Sequence, residues 1–203
     1  MKVTLIDYGA GNVTSVERAL QRLGAISQRS SSPECIAKAE VLLLPGVGHY
    51  AALIRALDER ALRAPLLDAI QRGIPFLGVC LGLQALYETS EEAPELGGLG
   101  LFSGSVRSLP ATVKLPHMGW NQLKLIRPSR LLEEISADAY FYFAHSFAAT
   151  DANGESVALC NHGTDFAAVV EKKNVLAVQF HPEKSADAGA RLLQNFLAFC
   201  ESH

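Results

Sequence analysis

The sequence is poor in cysteine, has no long apolar run and carries no block of basic residues. Its four cysteines are far apart and form no C-x-x-C pair (Cys35, Cys80, Cys160 and Cys200). This spacing argues against a zinc knuckle and a disulfide framework, and it favours a reducing compartment. The first apolar run stops at Asp7, too early for a signal peptide. No stretch approaches the roughly 20 apolar residues of a membrane span. We therefore expect a cytoplasmic protein that does not enter a membrane.

The charge balance gives no sign of a polyanionic partner. Lys and Arg number 18 and Asp and Glu number 21, for a formal net charge of −3. A surface of this kind suits neither nucleic acid nor an anionic membrane, so we expect neither as a partner. The 203 residues suffice to bury a core, and they contain no repeat, low-complexity tract or linker. We expect one domain over residues 1–203.

Residues 75–84 carry the strongest local signal. An apolar run ends at Cys80, and Gly78 and Gly82 flank this cysteine two positions away on either side. Gly-x-Cys-x-Gly is the thiol version of the nucleophile elbow of hydrolases, where glycine lets backbones approach closely in a strand-to-helix turn. The head of the following helix favours an anion, and hence a thiolate. Cys80 is therefore a candidate nucleophile, with a buried structural cysteine as the alternative.

The first half of the chain alternates between strand-like and helix-like patterns. We expect strands at 3–6, 41–44 and 75–79, and helices at 13–23, 51–72 with a break at Pro65, and 81–89. Asn12 is placed to cap the first helix. Short connections between such elements imply right-handed crossovers and a parallel sheet, whose sites lie at the carboxyl ends of the strands.

The second half is richer in strands and closes on a helix. Strand patterns cover 105–109, 119–126, 139–147, 157–161, 167–171 and 175–180, and an amphipathic helix covers 185–200. A turn at 171–174 makes the last two strands a hairpin. The expected fold class is α/β, with an open, mostly parallel central sheet and additional antiparallel strands.

A glycine-rich loop follows the second of these strands. It reads Pro45-Gly46-Val47-Gly48-His49-Tyr50 and, like Cys80, it stands at the carboxyl end of a strand. Such a loop can present backbone N–H groups to a developing oxyanion, although taken alone it is more simply a plain turn. The parallel architecture predicts that the loop and Cys80 are neighbours.

A histidine ends the last predicted strand, and an acid follows two residues later. In extended backbone, residues i and i+2 point to the same side, so Glu183 can hold one ring nitrogen of His181. The other nitrogen can then exchange a proton with a thiol. The residues thus indicate a candidate Cys80–His181–Glu183 triad, although nothing in the sequence shows that its members meet. For the other scattered histidines we expect surface or structural roles (His49, His162 and His203).

Three motifs together resemble the class I (triad) glutamine amidotransferase family. They are Pro45-Gly46-Val47-Gly48, Gly78-Val79-Cys80-Leu81-Gly82-Leu83-Gln84 and Gln179-Phe180-His181-Pro182-Glu183, in the family's order and near its spacing. The resemblance covers essentially the whole chain. It implies helices on both faces of the sheet and a flavodoxin-like core.

A narrower resemblance is to the glutaminase subunits of imidazole glycerol phosphate synthases. It rests on Asp7-Tyr8-Gly9-Ala10-Gly11-Asn12, the Pro-Gly-Val-Gly loop, Pro116-His117-Met118-Gly119-Trp120-Asn121 and Ala144-His145-Ser146-Phe147. The stretch with methionine and tryptophan is the most specific of these.

The resemblance implies a mechanism. Cys80 would attack the side-chain amide of glutamine, with His181 carrying the proton and Glu183 holding its tautomer. Backbone N–H groups of Leu81 and of Val47 and Gly48 would stabilise the oxyanion. Substrate contacts would come from four positions (Gly48, Gln84, Ser146 and Phe147). Family members often have tyrosine in place of Phe147, so that contact can be made by backbone alone. No cofactor or metal is implied.

The resemblance also implies a partner. In this family the ammonia passes to a cyclase subunit, a (β/α)₈ barrel, which makes imidazole glycerol phosphate and aminoimidazole carboxamide ribotide in histidine biosynthesis. Asn12, Trp120 and Lys184 match the face that docks on the barrel. The alternatives, which the resemblance makes less favoured, are a helix cap for Asn12, a core aromatic for Trp120 and a solvated charge for Lys184. His117 and His145 either border the site or are structural.

Three other interpretations compete with this one. A glutaminase subunit for anthranilate, aminodeoxychorismate or pyridoxal phosphate synthesis is disfavoured by the stretch around Trp120. A cysteine peptidase or DJ-1-like hydrolase is disfavoured by Glu183 and Gln84. A non-catalytic partner module is disfavoured because all three triad members are present.

Overall fold

The computed structural model describes residues 1–9, 12–150 and 154–202. The strands are β1 Lys2–Ile6, β2 Ile26–Ser30, β3 Val41–Gly46, β4 Phe76–Cys80, β5 Tyr87–Ser90, β6 Phe102–Ser108, β7 His117–Gln122, β8 Lys124–Leu125, β9 Tyr140–His145, β10 Phe147–Ala149, β11 Ser156–Asn161, β12 Asp165–Lys172 and β13 Val175–Val178. The helices are α1 Val13–Arg22, α2 Pro33–Ala37, α3 Tyr50–Glu59, α4 Arg63–Gln71, α5 Leu81–Gln84 and α6 Ala186–Glu201, with a 3₁₀ turn at Pro182–Lys184.

Eight of these strands form the central sheet, in the order β2-β1-β3-β4-β13-β12-β11-β8. The pairs from β2 to β13 are parallel, and the pairs from β13 to β8 are antiparallel. Smaller sheets join β10, β6 and β5, and β7 with β9. The expected α/β fold with a mostly parallel sheet and additional antiparallel strands is confirmed.

Side chains alternate between the two faces of the central sheet, and helices cover both faces. Leu42 and Leu44 of β3 belong to one buried cluster, which they share with α3 and α4. Val41 and Leu43 belong to a second cluster, with α1 and α6 on the opposite face. This two-residue period is what a strand buried on both sides requires.

Sheet register brings the glycine-rich loop and the cysteine together. Gly46, the last residue of β3, pairs with Cys80, the last residue of β4. β13 pairs with β4 on its other side, and it leads to His181 three residues after its end. The carboxyl ends of three parallel neighbours therefore carry the loop, the thiol and the imidazole.

Several element boundaries differ from the sequence-based expectation. The helix after Cys80 is a single turn, since Tyr87–Ser90 forms strand β5 instead of continuing it. The break in the long helix falls at residues 60–62, and Pro65 lies in the first turn of α4, where proline is tolerated. β2 and α2 were not predicted. No helix in the described ranges is both long enough and apolar enough to cross a membrane.

Candidate active site

The backbone at Cys80 is bent into a strained turn. Cys80 has φ 54°, a left-handed value that is unusual for a residue with a side chain. A Cβ on Gly78 would lie 2.8 Å from the carbonyl oxygen of Gly82, and one on Gly82 would collide with the carbonyl of Leu44. The two flanking glycines are therefore needed for close backbone approach, as predicted. The turn leaves Cys80, only 5% exposed, at the head of α5.

The three predicted triad residues meet. His181 and Cys80 line the same cleft, and Cys80 is close enough to raise the pKa of His181. Nδ1 of His181 lies 3.0 Å from Oε1 of Glu183. The His181–Glu183 contact was predicted from extended backbone, and that reason was wrong. Glu183 lies in the 3₁₀ turn that follows His181 and not in extended backbone. The tight turn still brings the carboxylate within hydrogen-bonding distance of the ring nitrogen.

The environment favours a charged His181. Burial alone would lower its pKa, but hydrogen bonds to Cys80 and Glu183 and the negative charges of both outweigh burial, and the pKa rises to about 10. The side chain of Glu183 is 1% exposed, and its Oε2 has no hydrogen-bond partner within the described part of the chain. The hydrogen bond of the Glu183 carboxylate is therefore made to the His181 imidazole.

A buried serine fixes the backbone of His181. The Ser185 hydroxyl donates to the His181 carbonyl (2.6 Å) and accepts from the N–H of Tyr142 (3.0 Å). The N–H of His181 in turn donates to the Tyr142 carbonyl (2.8 Å). These three bonds form a closed ring that attaches the histidine to β9.

A cleft of about 490 Å³ opens above the thiol. Its walls include all four predicted substrate-binding positions together with Cys80 and His181 (Gly48, Gln84, Ser146 and Phe147). Of the residues predicted for the oxyanion site, Val47 and Leu81 also line it. The structure thus gathers Cys80, His181 and the four predicted substrate-binding positions around one cleft.

The Val47–Gly48 loop depends on one glycine conformation. Gly48 has φ +99°, and a Cβ there would meet nothing within 4 Å. Glycine is therefore required at this position for backbone conformation and not for space. The Tyr8 hydroxyl lies 3.5 Å from the Val47 carbonyl in the same loop, and burial raises the pKa of Tyr8 to about 12, so Tyr8 stays a neutral donor.

Gln84 contacts Gln179, which belongs to the third family motif but had no predicted role. Its Nε2 donates to the Phe147 carbonyl (2.7 Å) and to Oε1 of Gln179 (3.0 Å). Nε2 of Gln179 then lies 3.6 Å from the sulfur of Cys80. Gln179 is fully buried. A polar residue inside an apolar strand was the available signal for it.

Glu92 was also missed. It lines the cleft, and its Oε2 accepts from the N–H of Tyr50 (2.8 Å). Its Oε1 lies 4.0 Å from Nε2 of His49. The sequence could not mark Glu92, because it is one of several acids in a connection that reads as a loop.

Two of the predicted interface residues line the rim of the cleft, and the third lies nearby. Asn12 and Lys184 line the cleft, and Lys184 Nζ lies 5.6 Å from the centre of the Tyr142 ring. Trp120 packs edge-on against the same ring, at 5.9 Å, and is 52% exposed. The core interpretation of Trp120 is therefore wrong. Asn12 precedes α1, but its side chain accepts from the Ser15 hydroxyl and caps no backbone N–H.

The remaining histidines have structural contacts. His49 caps α3 by accepting from the N–H of Ala51 (3.1 Å), and His162 donates to the Lys114 carbonyl (2.9 Å). His203 lies outside the described residues. Within the described ranges, no group of three or more His, Cys, Asp or Glu side chains could hold a metal ion.

Comparison with protein families agrees with the site. The model of the family "Glutamine amidotransferase class-I" matches residues 4–199. The chain therefore belongs to the class I glutamine amidotransferases, as the three motifs suggested.

Curated relatives narrow the resemblance. The chain is 46% identical to the imidazole glycerol phosphate synthase subunit HisH of Salinibacter ruber, over 96% of this chain and 93% of that protein. It is also 46% identical to the HisH subunit of Desulfitobacterium hafniense, over 96% and 92%. A solved structure described as a glutamine amidotransferase superposes with a TM-score of 0.78 at 21% identity, covering 98% of each chain, which supports the fold.

Proposed function

We propose that this chain hydrolyses glutamine through a Cys80 thioester and supplies the ammonia to a synthase partner in histidine biosynthesis. The observation that carries the proposal is that Cys80 and His181 line one cleft, with Glu183 in contact with His181, in a chain 46% identical to HisH subunits. The whole chain, residues 1–203, would act as one glutaminase domain in the cytoplasm.

The first half-reaction forms the thioester. The sulfur of Cys80 bonds to the side-chain amide carbon of glutamine, and His181 holds the proton that the thiol gives up. When the tetrahedral intermediate collapses, the C–N bond breaks and His181 delivers that proton to the leaving nitrogen, which departs as ammonia. Glu183 stabilises the charged imidazole and holds its other nitrogen in place.

The second half-reaction restores the enzyme. Water attacks the γ-glutamyl thioester while His181 accepts one of its protons. The C–S bond then breaks, the proton returns to the sulfur, and glutamate leaves. The sum is glutamine plus water giving glutamate plus ammonia.

The oxyanion of both intermediates needs N–H donors close to Cys80. Leu81 is the first residue of α5, and the first N–H groups of a helix have no partner within it. The Val47–Gly48 loop follows the residue paired with Cys80. One well-placed donor of this kind is typically worth about 3 kcal/mol in the barrier.

Four groups are placed to hold the rest of the substrate. Both amide hydrogens of Gln84 are used within the protein, so its Oε1 is the end that can meet a ligand. Ser146 and Phe147 offer backbone groups at the cleft wall. We assign the Glu92 carboxylate to the α-ammonium group of glutamine, because Glu92 is the acidic residue among those that line the cleft.

The partner we propose is a cyclase subunit of (β/α)₈-barrel fold. Asn12 and Lys184 lie on the rim of the cleft, and the exposed Trp120 and Met118 lie on the neighbouring strand β7. A barrel seated there would cover the cleft and receive ammonia without its loss to solvent.

Co-purification with the cyclase encoded in the same genome tests this proposal. We expect a heterodimer whose glutaminase activity rises when the cyclase's nucleotide ligand is added, and whose ammonia appears in the imidazole product. Full glutaminase activity without any partner, or activation by an anthranilate synthase component instead, would contradict the synthase assignment.

A further inference from the structure

Two buried histidines beside the triad have no part in the reaction described above. His117 is on β7 and His145 on β9, with exposed fractions of 5% and 6%. Nδ1 of His117 lies 3.1 Å from Nε2 of His145. The two strands pair at these residues, so the contact is built into the register.

The neighbours of this pair determine both tautomers. Nδ1 of His145 lies 2.9 Å from the Phe147 carbonyl, which can only accept, so Nδ1 carries the proton. Nε2 of a neutral His145 is then an acceptor, and His117 must donate to it from Nδ1. Nε2 of His117 is left to accept from the side-chain amide of Asn121, at 3.3 Å.

The orientation of Asn121 is itself determined. Its Nδ2 donates to the Asn161 carbonyl (3.0 Å), and its Oδ1 accepts from the N–H of Gln122 (2.9 Å). All donors from Asn121 through His117 and His145 therefore point the same way, towards the carbonyl of Phe147.

The Phe147 carbonyl is where this chain meets the active site. It accepts from His145 on one side and from Gln84 on the other. With both lone pairs used, its direction is fixed, and so is the orientation of the Gln84 amide. Gln84 in turn orients Gln179, whose N–H faces the sulfur of Cys80.

The surroundings keep both rings neutral. Burial, followed by the charge of His162, lowers the pKa of His117 to about 4. Burial is also the largest cause that lowers the pKa of His145, to about 3, with charges of His117, His162 and His181 adding to it. A proton added to Nε2 of His145 would face the Nδ1–H of His117, and a proton added to Nε2 of His117 would face the amide N–H of Asn121.

We propose that His145 and His117 are positioning residues: a neutral pair with fixed tautomers that holds the Phe147 carbonyl, and with it the wall of the glutamine pocket. The inference rests on the proposed glutaminase function, because Phe147 and Gln84 are substrate-binding positions only in that proposal. His145 also lines the cleft, but both histidines are assigned a role through the Phe147 carbonyl and none in the bond-making steps.

Two variants of His145 separate its two ring nitrogens. Asparagine places an amide nitrogen near the position of Nδ1 and glutamine near that of Nε2, so His145→Asn can keep the donor to Phe147 and His145→Gln cannot. In the complex with the cyclase, we expect His145→Gln to raise KM for glutamine about five- to tenfold, the effect of one lost hydrogen bond. His145→Asn should raise KM less than twofold, and kcat should change little in both.

A control variant tests whether lost stability alone could raise KM. Asn195 lies on α6, away from the cleft. Asn195→Ala removes two hydrogen bonds, which the side chain donates to the carbonyls of Leu131 and Glu133. It should lower Tm without changing KM. Equal KM values for His145→Gln, His145→Asn and the unmodified chain would overturn the proposal. If Cys80→Ala still abolished activity in that case, the proposed function would stand alone.

A second measurement does not depend on variants that fold. ¹⁵N-edited NMR of the unmodified chain should find His117 and His145 protonated at Nδ1 alone, and unchanged down to pH 5.5. His162, which donates from Nε2 to Lys114, should have the other tautomer. An Nε2–H form or a charged ring at either buried histidine at pH 7 would contradict the proposed pair.

Discussion

The carboxylate of Glu183 lies 3.0 Å from Nδ1 of His181, and both side chains are at least 98% buried. At this distance and depth, the acid does more than set the ring angle, because it acts together with Cys80 to raise the pKa of the imidazole. The triad therefore depends on an ion pair that solvent barely screens.

Replacing the acid tests this dependence. We expect Glu183→Gln to lower kcat for glutamine hydrolysis about 100-fold, the usual scale of acid–base catalysis, because the neutral amide no longer stabilises the charged ring. KM should change much less. Steady-state kinetics with Glu134→Gln as the matched control, an exposed acid paired with Arg191, checks the prediction. A Glu183→Gln enzyme with at least half of the normal kcat would be inconsistent with the role assigned to the acid.

The free energy of unfolding should be greatest near pH 6.5. The folded state raises the pKa of His181 from 6.5 to about 10, so its stabilising contribution is fully present below pH 6.5 and is lost as pH rises through 10. His117 and His145 act in the opposite sense. Their pKa values fall to about 4 and 3, so their contribution is present above pH 6.5 and is lost as pH falls towards those values.

Urea denaturation between pH 5 and pH 9 measures both effects. Each histidine changes the free energy of unfolding by at most about 1.4 kcal/mol per pH unit in its own range. Glu183→Gln should make the alkaline side of the curve shallower, and His145→Asn the acid side. The account fails here if neither variant alters the slope on its own side.

Much of the site could be predicted from the sequence because its signals are local. The glycines around Cys80 and the order of parallel strands were enough to bring the Val47–Gly48 loop to the thiol. Gln179 had a local signal, a polar residue in an apolar run, but its contacts with Gln84 and Cys80 could not be predicted, and Glu92 had no local signal. The short α5 was overestimated because an apolar run after Gln84 suits β5 equally well.

Replacing Gly48 and replacing Gly82 should impair the protein for different reasons. Gly48→Ala has space for its Cβ but forces a positive φ on alanine, at a cost of about 1 kcal/mol. We expect a folded protein with kcat reduced at least tenfold, because the loop N–H moves. Gly82→Ala drives a Cβ into the Leu44 carbonyl and should cost about 3 kcal/mol or more of stability.

Thermal melts and kcat together separate the two outcomes. Gly73→Ala is the control for Gly48→Ala, since Gly73 also has a positive φ and open space but ends α4 away from the cleft. It should lose similar stability and keep its kcat. Full activity in Gly48→Ala would show that the loop does not contribute to an oxyanion site.

Trp120 should contribute strongly to partner binding. Its ring is exposed beside the rim of the cleft, and buried tryptophans at interfaces often contribute about 2 kcal/mol or more, so Trp120→Ala should weaken cyclase binding about 30-fold or more. Ile26→Ala, an exposed apolar residue at the start of the edge strand β2, should leave the affinity unchanged. Titration calorimetry compares them. An unaltered Kd for Trp120→Ala would show that the cyclase does not bind at Trp120.

The covalent intermediate on Cys80 is the most direct test of the whole account. Protein mixed with glutamine, quenched in acid and examined by peptide mass spectrometry should carry one γ-glutamyl group on the peptide that contains Cys80. The adduct and glutamate formation should persist in Cys160→Ala, whose thiol is buried, and both should vanish in Cys80→Ala. Glutamate production that survives Cys80→Ala, or an adduct on another residue, would contradict the assignment of the nucleophile.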